Sequence, residues 1–288
     1  MKRILKIVWP ALLISLSLAG QDGTAALRAE VQFLADSLQT GRGCGSAGAQ
    51  SATFYLLREL RNAGLRTTVQ SFPAGQKAGH NVVAVTPGWF RSYIVVGAYF
   101  DGLGTLDGTL YPGADANASG VAALLALARS LPDACTGATG LIFVAFDGHH
   151  ADLAGSQAFL DRFRQEYNIS TIVNLDQIGS TLAPVRSSRP DYLIALGGAA
   201  FRTGLEAANR QSRLDLSYDY YGSASFTDLF YRRVGDQRCF LEAGIPAVMF
   251  TSGITLNTNK PADTAASLDY PILSRRIELI STWLRSLL

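Results

Sequence analysis

Six short runs of almost unbroken apolar residues constrain this chain more than any other feature. They are "HNVVAVTPG" from His80, "SYIVVGAYFD" from Ser92, "GLIFVAFDG" from Gly140, "STIVNLDQIG" from Ser170, "YLIALGG" from Tyr192 and "PAVMFTSG" from Pro246. A strand with one wet face alternates apolar and polar residues, whereas a strand covered on both faces reads as a continuous apolar run. Helical spacing of apolar residues falls between these runs, at about 118–131, 153–165, 199–211 and 271–287. It also appears upstream at 26–38 and across "AQSATFYLLRELRNAGL", which Gly64 stops. Strand followed by helix through the middle of the chain predicts one α/β domain with a largely parallel central sheet and helices on both faces. With 288 residues, 48% of them hydrophobic and 17% charged, there is apolar material for a large core and no compositional case for disorder.

The first residues, "MKRILKIVWPALLISLSLAG", have a basic start, a short apolar run and small residues at Ser17 and Ala19, the layout of a secretory signal peptide. Residues 1–19 are read as a leader cleaved near Ala19, with 20–288 as the exported domain, periplasmic or extracellular. The apolar run is short for an uncleaved anchor, since a span needs about 20 apolar residues. The leader carries Lys2, Arg3 and Lys6 and no acid, so its removal takes the formal charge from +2 to −1. No basic patch then calls for nucleic acid, and no membrane span is expected after cleavage. Cys44, Cys135 and Cys239 lie far apart without CxxC spacing, which excludes a zinc knuckle; buried inert thiols are expected, with one disulfide as the alternative.

In a sheet of this kind, ligands bind beyond the carboxyl ends of the strands. The polar residues to inspect are Tyr99 to Asp101, Asp147 to His150, Asp176 and the segment after Phe250. The chain has no GxSxG elbow, HExxH helix or phosphate loop. His80 reads as a surface or hydrogen-bonded histidine, and Asp147, Asp152 and Asp263 as turn and cap residues. A serine nucleophile at Ser119 is conceivable, but a first-turn helix residue is the simpler reading.

Several of these stretches together resemble the di-zinc aminopeptidases and the related glutaminyl cyclases, family twenty-eight of the metallopeptidases. The likeness runs from "GRGCGSAG" at residue 41 through "VVGAYFDG", "PGADANASGVAALLALAR", "FVAFDGHHADLAGSQAFL" and "VNLDQIG" to "KPADTAASLDY". In that family two zinc ions about 3.5 to 4 Å apart share a carboxylate and activate a bridging water, and a glutamate acts as base. The resemblance implies ligand positions that this chain fills differently. Tyr99 stands where a "GAHYDS"-like strand end has histidine, and Ala116 where a "PGANDNASG"-like loop has the bridging aspartate. His149 and His150 replace the base and a ligand of "FDGEEQGLLGS". Asn259 replaces the histidine of "YHKPTDT", Gln237 in "VGDQRCF" replaces the histidine of an "SDH"-like segment, and Asp176 is retained.

A neutral phenol is a poor zinc ligand and alanine is none. The expectation is therefore a family fold without a competent di-zinc centre or cofactor, holding a peptide or small polar ligand in its cleft. Asp101, whose counterpart orients a zinc histidine, is expected to have none to orient, and Asp176 to pair with a protonated histidine. Asn117 reads as a helix cap, and Tyr218, Tyr220 and Tyr221 either line the cleft or pack. The alternative is an active aminopeptidase or glutaminyl cyclase with a rearranged site, one zinc held by His149, His150, Asp176 and Asp115.

Overall fold

A computed structural model describes residues 12–288, with side chains from residue 23 onward. Two helices, α1 (Leu12–Leu34) and α2 (Ala47–Asn62), lead into β1 (Arg66–Ala74), β2 (Lys77–Val85) and β3 (Ser92–Tyr99). A small hairpin, β4 (Gly104–Leu106) and β5 (Thr109–Tyr111), precedes α3 (Gly120–Ser130), β6 (Thr139–Phe146), α4 (Ala154–Phe163) and β7 (Ile169–Leu175). Then come β8 (Tyr192–Leu196), α5 (Arg202–Ser212), β9 (Asp215–Ser217), α6 (Ala224–Arg233), α7 (Gln237–Glu242), β10 (Ala247–Thr251) and α8 (Tyr270–Arg285).

The main sheet runs β1-β2-β6-β3-β7-β10-β8-β9. Its centre, β6, β3, β7 and β10, is parallel, as expected, whereas β2 joins β6 and β8 joins β10 antiparallel. All six apolar runs are strands. Along β3, Ile94, Val96 and Ala98 face the core under α1, α2, α3, α5 and α8, while Tyr93, Val95 and Tyr99 face the one under α4 and α7. That period of two, with both faces apolar, is what covering a sheet on both sides requires. The leader falls outside the described residues as far as residue 11; residues 12–19 belong to α1, which ends at Leu34 rather than 38 because Asp36 caps a tighter turn through its bond from the Leu38 N–H. Among the described residues, no helix is long and apolar enough to cross a membrane. The three cysteines are free thiols, Cys239 buried and the other two half-buried.

The glycine-rich stretch after α1 serves to bury one arginine. Arg42 is fully buried and donates to the carbonyl oxygens of Phe100 (2.7 Å), Pro112 (2.8 Å), Gly113 (2.9 Å) and Leu34. Gly41 makes the approach possible: its φ is +68°, and a Cβ there would lie 2.5 Å from the Gly104 carbonyl oxygen. Arg42 thereby fixes the segments that follow β3 and precede α3. Replacing Arg42 with Met should cost about 3 to 5 kcal/mol in denaturant unfolding, because its carbonyl partners lose their donor inside the protein. Arg42→Lys should recover less than half, an ammonium being unable to reach as many acceptors as the guanidinium fork. A loss under about 1 kcal/mol in Arg42→Met would show that the loop holds itself.

Candidate functional site

Because β3, β6, β7 and β10 are parallel, their carboxyl ends meet at one edge of the sheet. That edge delivers Tyr99 from β3, His149 and His150 from the turn after β6, and Asp176 from the residue after β7. They line one cavity of about 110 Å³ together with Asn259 and with Phe230, Val234, Met249 and Ile254. Sites for drug-sized ligands usually span about 300 to 1,000 Å³. This one has room for a small molecule or the end of a single side chain.

The loop before α3 is pinned from behind. Both Asp263 oxygens accept loop N–H groups, from Asp115 at 2.7 Å and Ala116 at 3.0 Å. Asn117 donates to the Tyr99 and Leu175 carbonyl oxygens at 3.2 and 2.9 Å and accepts from the Gly120 and Gln177 N–H groups, so it caps α3 as expected and also ties β3 to β7. Asp115, weighed above as a metal ligand, turns away from the cavity. One of its oxygens accepts from the Gly179 N–H at 2.7 Å and the Ser119 hydroxyl at 3.0 Å; the other is buried without a partner. Burial, reinforced by Asp263, pushes its carboxyl up to about 6. Ser119 also accepts from the Ile178 N–H, so its hydroxyl is committed to bonds within the loop, Asp115 included, and the nucleophile reading lapses.

The two histidines are held by different buried aspartates. Asp101 accepts from the backbone N–H of His149 (2.9 Å) and of His150 (3.1 Å), and its Oδ2 lies 3.2 Å from His150 Nδ1. The expectation that Asp101 has no histidine to orient is thus corrected: β3 ends on Tyr99, and Asp101 holds the histidine that follows β6. His149 Nδ1 lies 3.0 Å from Asp236, not from Asp176 as the charge argument suggested. Burial alone would push the His149 imidazole down. The charge and hydrogen bond of Asp236, with Asp176 and Asp101 behind it, outweigh burial and carry its pKa up to about 9, so the ring is cationic at neutral pH.

Tyr99 is buried with its ring stacked on His149, centroids 3.7 Å apart and planes 12° apart, and the edge of His150 meets it at 5.8 Å. Burial first, then the charges of Asp176 and Asp101, push its phenol well above its ordinary value and keep it neutral. Asp176 is itself raised by burial, against the pull of His149, and its Oδ1 accepts from Gln177 Nε2 at 3.4 Å.

Asp236 went unread in the sequence, although it sits in the "VGDQRCF" stretch where only Gln237 was noted. Gly235, with φ +90°, turns the chain so that Asp236 enters the site; a Cβ there would lie 2.5 Å from Gln237 Oε1. Gln237 is structural, accepting from Asn174 Nδ2 at 2.7 Å and donating to the Phe230 and Tyr231 carbonyl oxygens. The tyrosines of "YDYYGSASF" do not line the cavity. Tyr220 stacks on Phe230 at 4.3 Å, Tyr221 donates to the Ala183 carbonyl oxygen, and Tyr218 lies beneath Arg202. His80 is hydrogen-bonded to Ser71 at 3.0 Å.

These residues do not fit a di-zinc centre. Ala116 offers no donor atom, Tyr99 is a neutral phenol under an aromatic stack, and Asp115 is committed inside its loop. Among the described residues, no three His, Cys, Asp or Glu side chains converge as a metal shell.

The family model described as Peptidase family M28 matches residues 81–284. The chain is 28% identical over 210 residues to a probable zinc metalloprotease of Pyrenophora tritici-repentis, covering 61% of this chain and 48% of that protein. It is 28% identical over 187 residues to leucine aminopeptidase 1 of Metarhizium robertsii, covering 61% and 47%. The chain thus spans about half the length of these curated relatives. In fold it resembles BSAP, a zinc aminopeptidase from Bacillus subtilis (TM-score 0.72, 13% identity, 92% and 95% of the chains covered). It likewise resembles the Porphyromonas gingivalis glutaminyl cyclase (TM-score 0.69, 18% identity, 92% and 98% covered). From β2 to the last helix, the chain belongs to peptidase family M28.

Proposed function

We propose that this chain is an exported M28 homologue that has given up di-zinc peptide hydrolysis and uses its strand-end cleft to bind a peptide terminus or another small polar ligand. The observation that carries this reading is the Tyr99–His149 stack, two rings 3.7 Å apart where the family resemblance puts the first zinc histidine and the general base. A base must reach a water or substrate proton. His149 instead bonds a buried carboxylate through Nδ1 and covers its ring face with Tyr99. The ligand would meet a small pocket with a cationic imidazole, the Asp176 carboxylate and the apolar walls of Phe230, Val234 and Ile254. Export rests on the leader-like residues 1–19.

One observation favours the second reading, a metal-dependent aminopeptidase-type hydrolase or cyclase with a single zinc. Both imidazoles have Nδ1 tied to a buried aspartate, as metal-ligating histidines commonly do. The donor set around them remains thin, because Asp115 is turned away and Asn259 supplies only an amide.

Hydrolysis of a panel of aminoacyl anilides with zinc present should give no turnover above background. The double variant Tyr99→His with Ala116→Asp should stay inactive too, because the positions of the base, of one carboxylate ligand and of the last histidine still hold His149, His150 and Asn259. Measurable turnover in either protein would overturn the reading.

The His149 pair predicts a specific pH response. Its pKa in the folded chain lies above the ordinary value of about 6.5, so the pair stabilises the fold fully below that value and loses its contribution as pH rises through about 9. Histidine NMR should place the His149 titration near 9, and Asp236→Asn should lower it by about one unit or more. An unchanged titration in Asp236→Asn would remove Asp236 as the partner.

A further inference from the structure

At the opposite edge of the sheet, roughly 25 Å away along the eight residues of β3, lies a second and larger cavity of about 480 Å³. Its floor is aromatic: Phe90 meets Tyr93 edge-on at 5.8 Å, and Tyr93 meets Tyr167 edge-on at 4.9 Å. Trp89, in the turn between β2 and β3, stands over it 84% exposed. An indole this open is uncommon, because its large apolar surface is ordinarily buried or partnered. Two arginines, Arg66 and Arg91, complete the rim, and neither guanidinium has a hydrogen bond or ion pair among the described residues. The nearby carboxylate, Glu166, is engaged by Arg162 at 3.4 Å.

We propose that this groove is a binding site for a small anion that carries a ring with a stackable face, the ring lying on Trp89 and the aromatic floor and the acidic group meeting Arg66 and Arg91. Stacking on an indole suits either a nucleobase or the flat face of a sugar, and unpaired guanidinium forks match carboxylate or phosphate geometry. The volume falls within the usual range for small-molecule sites, unlike that of the strand-end cleft. Nothing here depends on what the strand-end cleft does.

Trp89 provides its own reporter, since Trp283 is buried and a Trp89→Phe variant subtracts every other indole. The full chain is titrated with adenosine monophosphate in one arm and a short galacturonate oligomer in the other, with adenosine and inorganic phosphate as half-ligands. A saturable change in Trp89 fluorescence with at least one ring anion is expected, with Kd on the order of 1 mM or tighter. The arm that responds identifies the source. Binding should weaken at least about tenfold in the Arg66→Ala, Arg91→Ala double variant, and calorimetry should show a similar loss in Trp89→Phe. All three positions are exposed, so an unchanged melting temperature confirms that the variants fold. Absence of saturable binding in both arms, or equal binding by the arginine double variant, would overturn the proposal.

Discussion

Burying negative charge at the strand-end edge is the constraint on which the rest of this structure turns. Asp101, Asp115, Asp147, Asp176, Asp236 and Asp263 are all almost fully buried there. Carboxylates out of water need cations, hydrogen bonds or protons. Three internal cations meet the first need. Arg42 faces Asp101 and Asp263, Arg276 faces Asp115, and His149 faces Asp236, Asp176 and Asp101. Backbone N–H groups meet the second at Asp101, Asp115, Asp147 and Asp263. Protons meet the third only below neutral pH, since burial pushes Asp115 and Asp147 up to about 6.

Charge balance of this kind explains how the family fold can persist around altered ligand positions. Arg42 and Arg276 are bound to backbone carbonyls as well as facing carboxylates, and each joins segments far apart in the chain. Positive charge is therefore anchored to the scaffold. The Tyr99 ring fills space beside His149, and Ala116 brings no charge that would need a further cation.

Much of this was legible in the residues. The six apolar runs could only be covered strands, and their carboxyl ends named Tyr99, Asp101, His149, His150 and Asp176, four of which line one cavity while Asp101 braces the histidines from behind. Partners were harder to read than positions. Asp236 follows a left-handed glycine after α6, a helix with no buried residue, and no local signal ties it to a histidine 87 residues earlier. Edge strands β1 and β9 escaped because one is largely wet and the other has three residues. Arg42 lies in a glycine-rich stretch whose sequence names no role for it; only the folded chain reveals that those glycines make room for a buried guanidinium.

The most direct measurement is zinc content of the purified protein by mass spectrometry after dialysis against zinc. A strand-end edge whose carboxylates are already engaged by Arg42, Arg276, His149 and backbone N–H groups should retain well below one zinc per chain. Two zinc ions per chain would contradict it, and would mean that Tyr99, Asp115, His149 and His150 rearrange into a metal centre around which the aspartates are arranged after all.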